Sequence, residues 1–195
     1  MSTYNAIKYN VDYGGFAGSL IPIATFTSDG SDSTASFTSG IDSTYDKYLF
    51  IFNNIHPQTD NTTFGFNGST DSGSNYNVTK TTTFFRATQE ENDSSAALSY
   101  ETGKDIAQGT GDQQLAQSLS ADNDGNVSGK LLLFKPSSTT FVKHFIATMN
   151  ETHGGDISIN SHVAGYFNTT SAVDAIRFQM ASGEIQGGTI QMFGV

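Results

Sequence analysis

Apolar and polar residues alternate along most of the chain, and this period of two is typical of β-strands with one buried and one solvated face. The clearest alternation spans residues 156–167, where Ile157, Ile159, Val163 and Phe167 fall on one face. The opposite face of the same segment carries serine, asparagine and histidine. The sequence therefore predicts strands almost throughout and little helix.

Two segments are apolar on both faces, YLFIF at 48–52 and LLLF at 131–134. Strands of this kind are expected in the middle of a sheet, covered from both sides. One short segment, 112–119, holds Leu115 and Leu119 at helical spacing and predicts a marginal helix. Further strands are predicted at 20–27, 32–38, 63–67, 76–88, 95–101, 139–149, 175–180 and 185–193.

Turn signals containing glycine separate the predicted strands at Asp29-Gly30, Asn67-Gly68, Asp124-Gly125 and Gly154-Gly155. Roughly ten strands at short spacing are typical of an antiparallel two-sheet sandwich, so the predicted fold is all-β and jelly-roll-like. No change of composition divides the chain, and residues 19–195 are predicted to form a single domain.

Residues 1–18 have a different pattern, with aromatic rings scattered among polar residues and glycines. These rings are Tyr4, Tyr9, Tyr13 and Phe16. Aromatic side chains of this kind are enriched at protein interfaces. We therefore predict that residues 1–18 form an arm that packs on a neighbouring subunit or across the sheet, with a simple edge strand as the alternative.

Charged residues make up only 14% of the chain, and the formal net charge is −10. An acidic surface repels phosphate backbones, so a nucleic-acid partner is not expected. No apolar run is long enough for membrane insertion, and the N-terminal MSTYNAIKYN lacks the apolar region of a signal peptide. We therefore expect synthesis in the cytoplasm without secretion.

The chain offers no recognisable catalytic motif. It has no cysteine, and no Gly-x-Ser-x-Gly sequence marks a nucleophilic serine. The acidic residues lie mostly in segments rich in Ser, Thr and Gly, where solvated loop charge explains them better than a catalytic carboxylate pair. We predict no catalytic residue, no cofactor and no enzymatic activity.

Two groups of residues raise the question of metal binding. In the first, His144, His153 and His162 fall in one predicted strand pair together with Asp156. Ligands on a strand are usually two residues apart on one face, and no such pair of histidines occurs here. Surface or hydrogen-bonded histidines are therefore the preferred interpretation.

In the second group, the segment from Asp122 to Asn126 resembles the start of a calcium-binding loop. An EF-hand loop requires Gly at its sixth position and Glu at its twelfth, which here are Val127 and Leu133. A hairpin turn at Asp124-Gly125 explains these residues better. No metal site is predicted, although a calcium ion in this loop stays open from the sequence alone.

The C-terminal sequence 176–195, IRFQMASGEIQGGTIQMFGV, contains an alternating strand, Ser-Gly, a glycine turn and a final strand that closes in Phe-Gly-Val. This ending resembles the C-termini of many structural proteins of tailed-phage virions. The segment 45–60, YDKYLFIFNNIHPQTD, is similar to the early sandwich strand of those proteins and to the turn that follows it. Residues 61–130 depart from this pattern.

The resemblance implies a non-enzymatic virion protein with a sandwich domain of the capsid-decoration or tail-fibre style. Tail fibres usually contain coiled coils or β-helical repeats, and neither occurs here, so capsid decoration (cement) is the favoured role. Cement proteins commonly act as trimers, so the expected partners are further copies of this chain and other virion proteins. The alternative is a tail-fibre or receptor-binding module in which loop Tyr and Asn residues recognise host-surface carbohydrate.

Overall fold

Within residues 20–195, the part of the chain that the computed structural model describes, the regular structure consists of β-strands only. The strands are β1 (Ile21–Thr27), β2 (Thr34–Phe37), β3 (Lys47–Pro57), β4 (Thr62–Ser69), β5 (Lys80–Glu90), β6 (Ala96–Tyr100), β7 (Gln113–Leu119), β8 (Val127–Phe134), β9 (Lys143–His153), β10 (Ile157–Phe167), β11 (Ala175–Met180) and β12 (Ile185–Gly194). All their pairings are antiparallel. The predicted all-β class is confirmed.

The strands form one connected sheet in the order β1-β12-β3-β8-β9-β7-β4-β11-β2, while β10, β5 and β6 continue from the side of β9. The sheet nearly closes into a barrel at two seams. At one seam, β7 meets β9 through the ladder pair Leu119 and His153. At the other seam, Asp32 pairs with Ile185 at the start of β12. Strands β10, β5 and β6 therefore extend beyond the ring, and β6 pairs only with β5 among the described residues.

The core is a cluster of aromatic rings, and it forms because alternate residues of each strand point inward. Phe178 of β11 lies with its ring centroid 5.3 Å from that of Phe50 and 5.0 Å from that of Phe52, both on β3. Phe66 of β4 packs edge-on against Phe145 of β9 at 4.9 Å. These edge-to-face pairs are favoured by the ring quadrupoles and join strands that are not neighbours in the sheet.

The inner faces predicted by alternation are buried. Ile159, Val163 and Phe167 of β10 lie in the interior, whereas Ile157 at the start of the strand is half-buried. Ile190 and Met192 of β12 are both fully buried. The period of two thus correctly predicts which side of these strands faces the core.

Strands β3 and β8 are internal in the sheet, as predicted, but only one face of each is buried. The inner face of β3 is closed by buried rings, whereas Leu49 and Ile51 on the other face are half-buried. Leu132 of β8 is half-buried in the same way. The expected cover on both sides is therefore not met by residues 20–195. An apolar outer surface remains at the middle of the sheet.

The predicted helix at 112–119 is wrong, because Gln113–Leu119 forms strand β7. Leu115 and Leu119 are four residues apart, and this spacing places side chains on one face in a helix and in a strand alike. Both leucines are buried. Pairing with β4 and β9 determines the strand conformation here.

Of the predicted glycine-containing turns, Gly154-Gly155 forms a hairpin, whereas Asn67-Gly68 and Asp124-Gly125 do not. Gly154-Gly155 joins β9 and β10 as the expected hairpin. Asn67-Gly68 is not a turn, because both residues lie within β4. Asp124-Gly125 lies in a turn closed by a hydrogen bond from the Gly125 N–H to the Asp122 carbonyl, but the flanking strands β7 and β8 both neighbour β9 and do not form a hairpin.

Candidate functional site

The interface residues predicted from sequence, Tyr4, Tyr9, Tyr13 and Phe16, lie outside the described residues. The candidate surface within residues 20–195 is the outer face of β12, β3, β8, β9 and β10. We call its central feature the apolar row, a line of cross-strand neighbours made of Phe193, Leu49, Leu132, Ile146 and Ala164. Each residue of the row lies directly opposite the next in the antiparallel register.

A groove of about 510 Å³ follows the apolar row from Leu49 to Ile146. We call it the outer groove, and its lining residues are Leu20, Lys47, Leu49, Lys130, Leu132, Ile146, Thr148 and Val195. A second cavity of about 430 Å³ adjoins it at Ile146 and continues past Ala164 to β5. Ile146, which both cavities share, is 53% exposed. The surface is thus concave and continuous, and its apolar side chains are only partly covered.

A second apolar surface lies at the free edge of the sheet. We call it the edge patch, and it consists of Phe85, Leu98 and Tyr100, which are 43%, 75% and 51% exposed. Phe85 and Tyr100 are cross-strand neighbours, and the Phe85 ring stacks on that of His162 with centroids 4.8 Å apart. Strand β6 is almost wholly exposed. An exposed apolar edge strand is a template for pairing with another chain.

The histidines singled out in the sequence face different partners. His162 stacks on Phe85, and His144 packs beside Tyr166 with ring centroids 5.8 Å apart. His153 Nδ1 accepts a hydrogen bond from the Gly155 N–H at 3.0 Å. From Leu20 to Val195 there is no group of three or more His, Asp or Glu side chains placed to hold a metal ion.

The loop that resembles a calcium site is organised by internal hydrogen bonds. The Asp122 carboxylate accepts a hydrogen bond from the Ser120 hydroxyl at 3.1 Å. The Asn126 side-chain amide donates to the backbone carbonyl of Asp124, also at 3.1 Å. These hydrogen bonds stabilise the turn. They engage Asp122, Asp124 and Asn126, which belong to the segment that resembles the start of a calcium-binding loop.

Glu151 is the most strongly perturbed acidic group of the interior. Both of its carboxylate oxygens accept hydrogen bonds from the backbone N–H of Gln117, at 3.1 and 3.2 Å. Burial raises the pKa of Glu151 to about 8, while the Gln117 N–H, Arg86 and Lys104 oppose that rise. The side chain is only 2% exposed, so no substrate can reach it in this structure. Its geometry is that of a structural contact across the β7–β9 seam.

Lys80 is a second buried charge, at the start of β5. Its ammonium group donates to the carbonyls of Gly111 at 2.6 Å and Val78 at 3.2 Å. Burial lowers the pKa of Lys80 to about 8, and the charge of Asp112 partly opposes this. The hydrogen bond to Gly111 connects the loop before β7 to the start of β5.

A polar cleft of about 140 Å³ lies on the outside of β4 and β11, opposite the aromatic core. It is lined by Thr63, Gly65, Asp112, Gln114, Gln179 and Ala181. The Asp112 carboxylate accepts hydrogen bonds from the Gln179 amide at 2.6 Å and the Asn67 amide at 3.0 Å. Arg177 lies 3.3 Å from the same carboxylate, and its guanidinium stacks 4.7 Å from the centre of the Tyr76 ring. The cleft is polar and preorganised.

Comparisons with protein-family models, with curated proteins and with solved structures find no match for this chain. Residues 20–195 contain no helix of the length and apolarity that crossing a membrane requires. The apolar row and the edge patch were not named by the sequence reasoning. Their sequence signal was the apolar character of both faces at 48–52 and 131–134, and the apolar run Ala96-Ala97-Leu98 in the predicted strand 95–101.

Proposed function

We propose that this chain is a non-enzymatic structural subunit of a tailed-phage virion, and within the virion a capsid decoration protein. The observation that carries the proposal is the edge patch on the exposed strand β6, which pairs with β5 on one side and with no other strand of residues 20–195. Monomeric proteins usually protect such edges with charge, proline or a covering loop. Strand β6 instead presents Ala96, Ala97 and Leu98 to solvent. This surface suits a contact between subunits.

The body of the subunit is proposed to be a two-sheet, jelly-roll-like sandwich. One sheet would run β1-β12-β3-β8-β9-β10-β5-β6 and the other β7-β4-β11-β2, with the seams as their joints. The aromatic contacts of Phe178 with Phe50 and Phe52 support this interpretation, because they join a strand of one set to a strand of the other. Two packed sheets with inward-facing alternate residues are the usual solution for such a core.

The phage resemblance gains support from the way its two segments fit together. Strand β12 of the C-terminal segment pairs directly with β3 of the segment 45–60. Gly194 packs flat against the Tyr45 ring, where a Cβ would overlap the ring. Gly188 has a φ of +102° and a Cβ there would lie 2.5 Å from the Asn54 carbonyl oxygen. Contacts with the segment 45–60 thus explain why glycine occupies positions 188 and 194 in the C-terminal segment.

A second copy of the chain is the proposed occupant of the edge patch, with a trimer as the expected assembly. The edge patch consists of Phe85, Leu98 and Tyr100, none of which is charged, so a contact between copies at this patch brings little charge into the interface. Other virion proteins would contact the assembled subunits.

The edge-patch interface is tested by measuring mass in solution for the wild type, Leu98→Asp and a control, Ser36→Asp. Leu98 and Ser36 are both exposed strand residues, but Ser36 lies on β2, away from the patch. The wild type and Ser36→Asp are expected to form the same oligomer, while Leu98→Asp is expected to be monomeric with an unchanged melting temperature. An oligomer of unchanged mass in Leu98→Asp would contradict the proposed interface.

Recognition of host-surface carbohydrate by a tail-fibre or receptor-binding module is a second candidate, favoured by the polar cleft. Asp112 with its amide neighbours, beside the loop residue Tyr76, offers the donors, acceptors and aromatic face that sugars use. Its test is binding of the chain to arrayed bacterial-surface glycans, with Asp112→Ala beside Ser36→Asp. Glycan binding that Asp112→Ala alone abolishes would establish the second candidate, and no binding by the wild type would dismiss it.

A further inference from the structure

The outer face of β12, β3, β8, β9 and β10 differs in charge from the molecule as a whole. The chain has 19 acidic residues and a formal net charge of −10. Only one of the 19, Glu151 of β9, lies in these five strands, and its side chain is buried on the inner face. The outward positions of the five strands therefore carry no carboxylate, whereas acidic residues occur in the segments that connect them.

Two lysines place positive charge on this face. Lys47 of β3 and Lys130 of β8 both line the outer groove, beside Leu49, Leu132 and Ile146 of the apolar row. Lys130 is exposed. Within residues 20–195, neither lysine takes part in a salt bridge. The outer face thus combines an apolar row with positive charge on a protein that is strongly acidic overall.

The outer face is large enough for a stable interface. Its five strands, about 4.8 Å apart, cover roughly 24 Å across the sheet. They are 8 to 11 residues long, which at about 3.3 Å per residue gives roughly 30 Å along the strands. The face therefore measures on the order of 700 Å², close to the ~800 Å² that each partner contributes to a stable protein–protein interface.

We infer that the outer face is the surface by which the subunit docks on the protein shell of the particle. The shell surface that fits it presents apolar side chains to the apolar row and carboxylates to Lys47 and Lys130. This inference rests on the proposed decoration role, to which it adds the docking face and the chemistry of the partner. The edge patch keeps its separate role in the contact between copies of the chain.

Charge favours this partner over two alternatives. Two outer faces packed against each other would bring four lysines together without a carboxylate, and like charges in an interface are unfavourable. An anionic membrane surface would attract the two lysines but would repel a chain with a net charge of −10. A protein surface can offer apolar groups and carboxylates at the same time, so it matches both features of the outer face.

Rebinding to stripped particles tests the docking face. Virus particles purified from a culture that expresses the chain are stripped of it with urea, and full-length variants are added back and measured by co-sedimentation. Two variants alter the outer face, Ile146→Asp and Lys130→Glu. Two controls introduce the same changes of charge elsewhere, Ser36→Asp on β2 and Lys104→Glu in the segment between β6 and β7.

The wild type and both controls are expected to rebind, whereas each outer-face variant should bind at least about tenfold more weakly. Ile146 and Lys130 are exposed, so melting temperatures should match that of the wild type. If Ile146→Asp fails to fold, Lys130→Glu decides the result. Equal rebinding of the outer-face variants and the controls would overturn the docking face and leave the decoration role standing. Failure of the wild type to rebind would remove the decoration role, and the docking face with it.

Two measurements on the same variants test the other occupants of the outer face. A lower mass in solution for Ile146→Asp than for Ser36→Asp would assign the face to a second copy and overturn the inference. Flotation with vesicles of phosphatidylglycerol and phosphatidylethanolamine would overturn it as well, if the wild type binds and Lys130→Glu does not. We expect equal masses and no binding to vesicles.

Discussion

Glu151 on β9 and Gln117 on β7 are joined across a seam of the sheet, where one backbone N–H points at both carboxylate oxygens, at 3.1 and 3.2 Å. The two strands share a single ladder pair, Leu119 with His153, so the carboxylate adds a further acceptor to a narrow seam. Burying an ionised carboxylate is unfavourable even when it is hydrogen-bonded. The closure of the sheet at this point is therefore linked to protonation.

This link predicts a pH dependence of stability. The folded-state pKa of Glu151 is about 8, above its ordinary value of 4.5, so the folded state retains a proton that the unfolded state has lost between these values. The contribution of Glu151 to the free energy of unfolding is fully present below pH 4.5 and is lost as pH rises towards 8. The expected slope is up to about 1.4 kcal/mol per pH unit.

Comparison with Glu151→Gln isolates this contribution. His153 opposes it over part of the range, because burial lowers the pKa of His153 below 6.5. Both proteins contain His153, so their difference belongs to Glu151. Urea unfolding at about pH 5 and about pH 8 should show that the wild type loses clearly more stability over this interval than Glu151→Gln. Parallel losses in the two proteins would contradict the assigned role.

A second prediction concerns the glycines that pack the C-terminal segment 176–195 against the segment 45–60. Gly188→Ala places a Cβ against the Asn54 carbonyl in a backbone conformation with φ of +102°, and Gly194→Ala drives a Cβ into the Tyr45 ring. Each should lower the free energy of unfolding by about 1–3 kcal/mol. Gly103→Ala is the control, since nothing lies within 4 Å of a Cβ there. Denaturant midpoints that do not separate these variants from the control would disprove the packing account.

A third prediction tests the final strand. Ile190 is fully buried, while Gln191 next to it faces the other side of the sheet. Truncation of Ile190 to Ala should cost about 2–5 kcal/mol, because it leaves a cavity against the aromatic core. Gln191→Ala should change stability by less than about 0.5 kcal/mol. Thermal unfolding of both variants checks the difference, and equal melting temperatures would show that the strand is peripheral.

Alternation alone was enough to predict the class of fold and most strands, because a period of two reports directly which residues face the core. It did not distinguish strand from helix at β7, where Leu115 and Leu119 satisfy both periods. The Asn-Gly turn signal gave the wrong prediction at Asn67-Gly68, because contacts with residues distant in sequence keep these two residues in strand β4. The Asn67 amide donates to Asp112, and Gly68 leaves room for the Phe167 ring.

The apolar row and the edge patch could not be predicted from the sequence, because both depend on pairing between strands that are distant along the chain. The apolar character of both faces of β3 and β8 was visible, but only the pairing register reveals that Leu49, Leu132 and Ile146 form one line. The edge patch depends on which strand ends the sheet, and among the strands of residues 20–195 the second side of β6 has no partner because of the strand order. Strand order follows from long-range contacts that no local pattern encodes.

The most direct test of the proposed function is averaged electron cryomicroscopy of virus particles purified from a culture that expresses the chain. The account predicts density for this fold on the capsid exterior, in trimers, with Leu98 and Tyr100 of β6 buried against a neighbouring copy. Particles that lack the chain would contradict the account, and so would a location at the tail tip with β6 facing solvent.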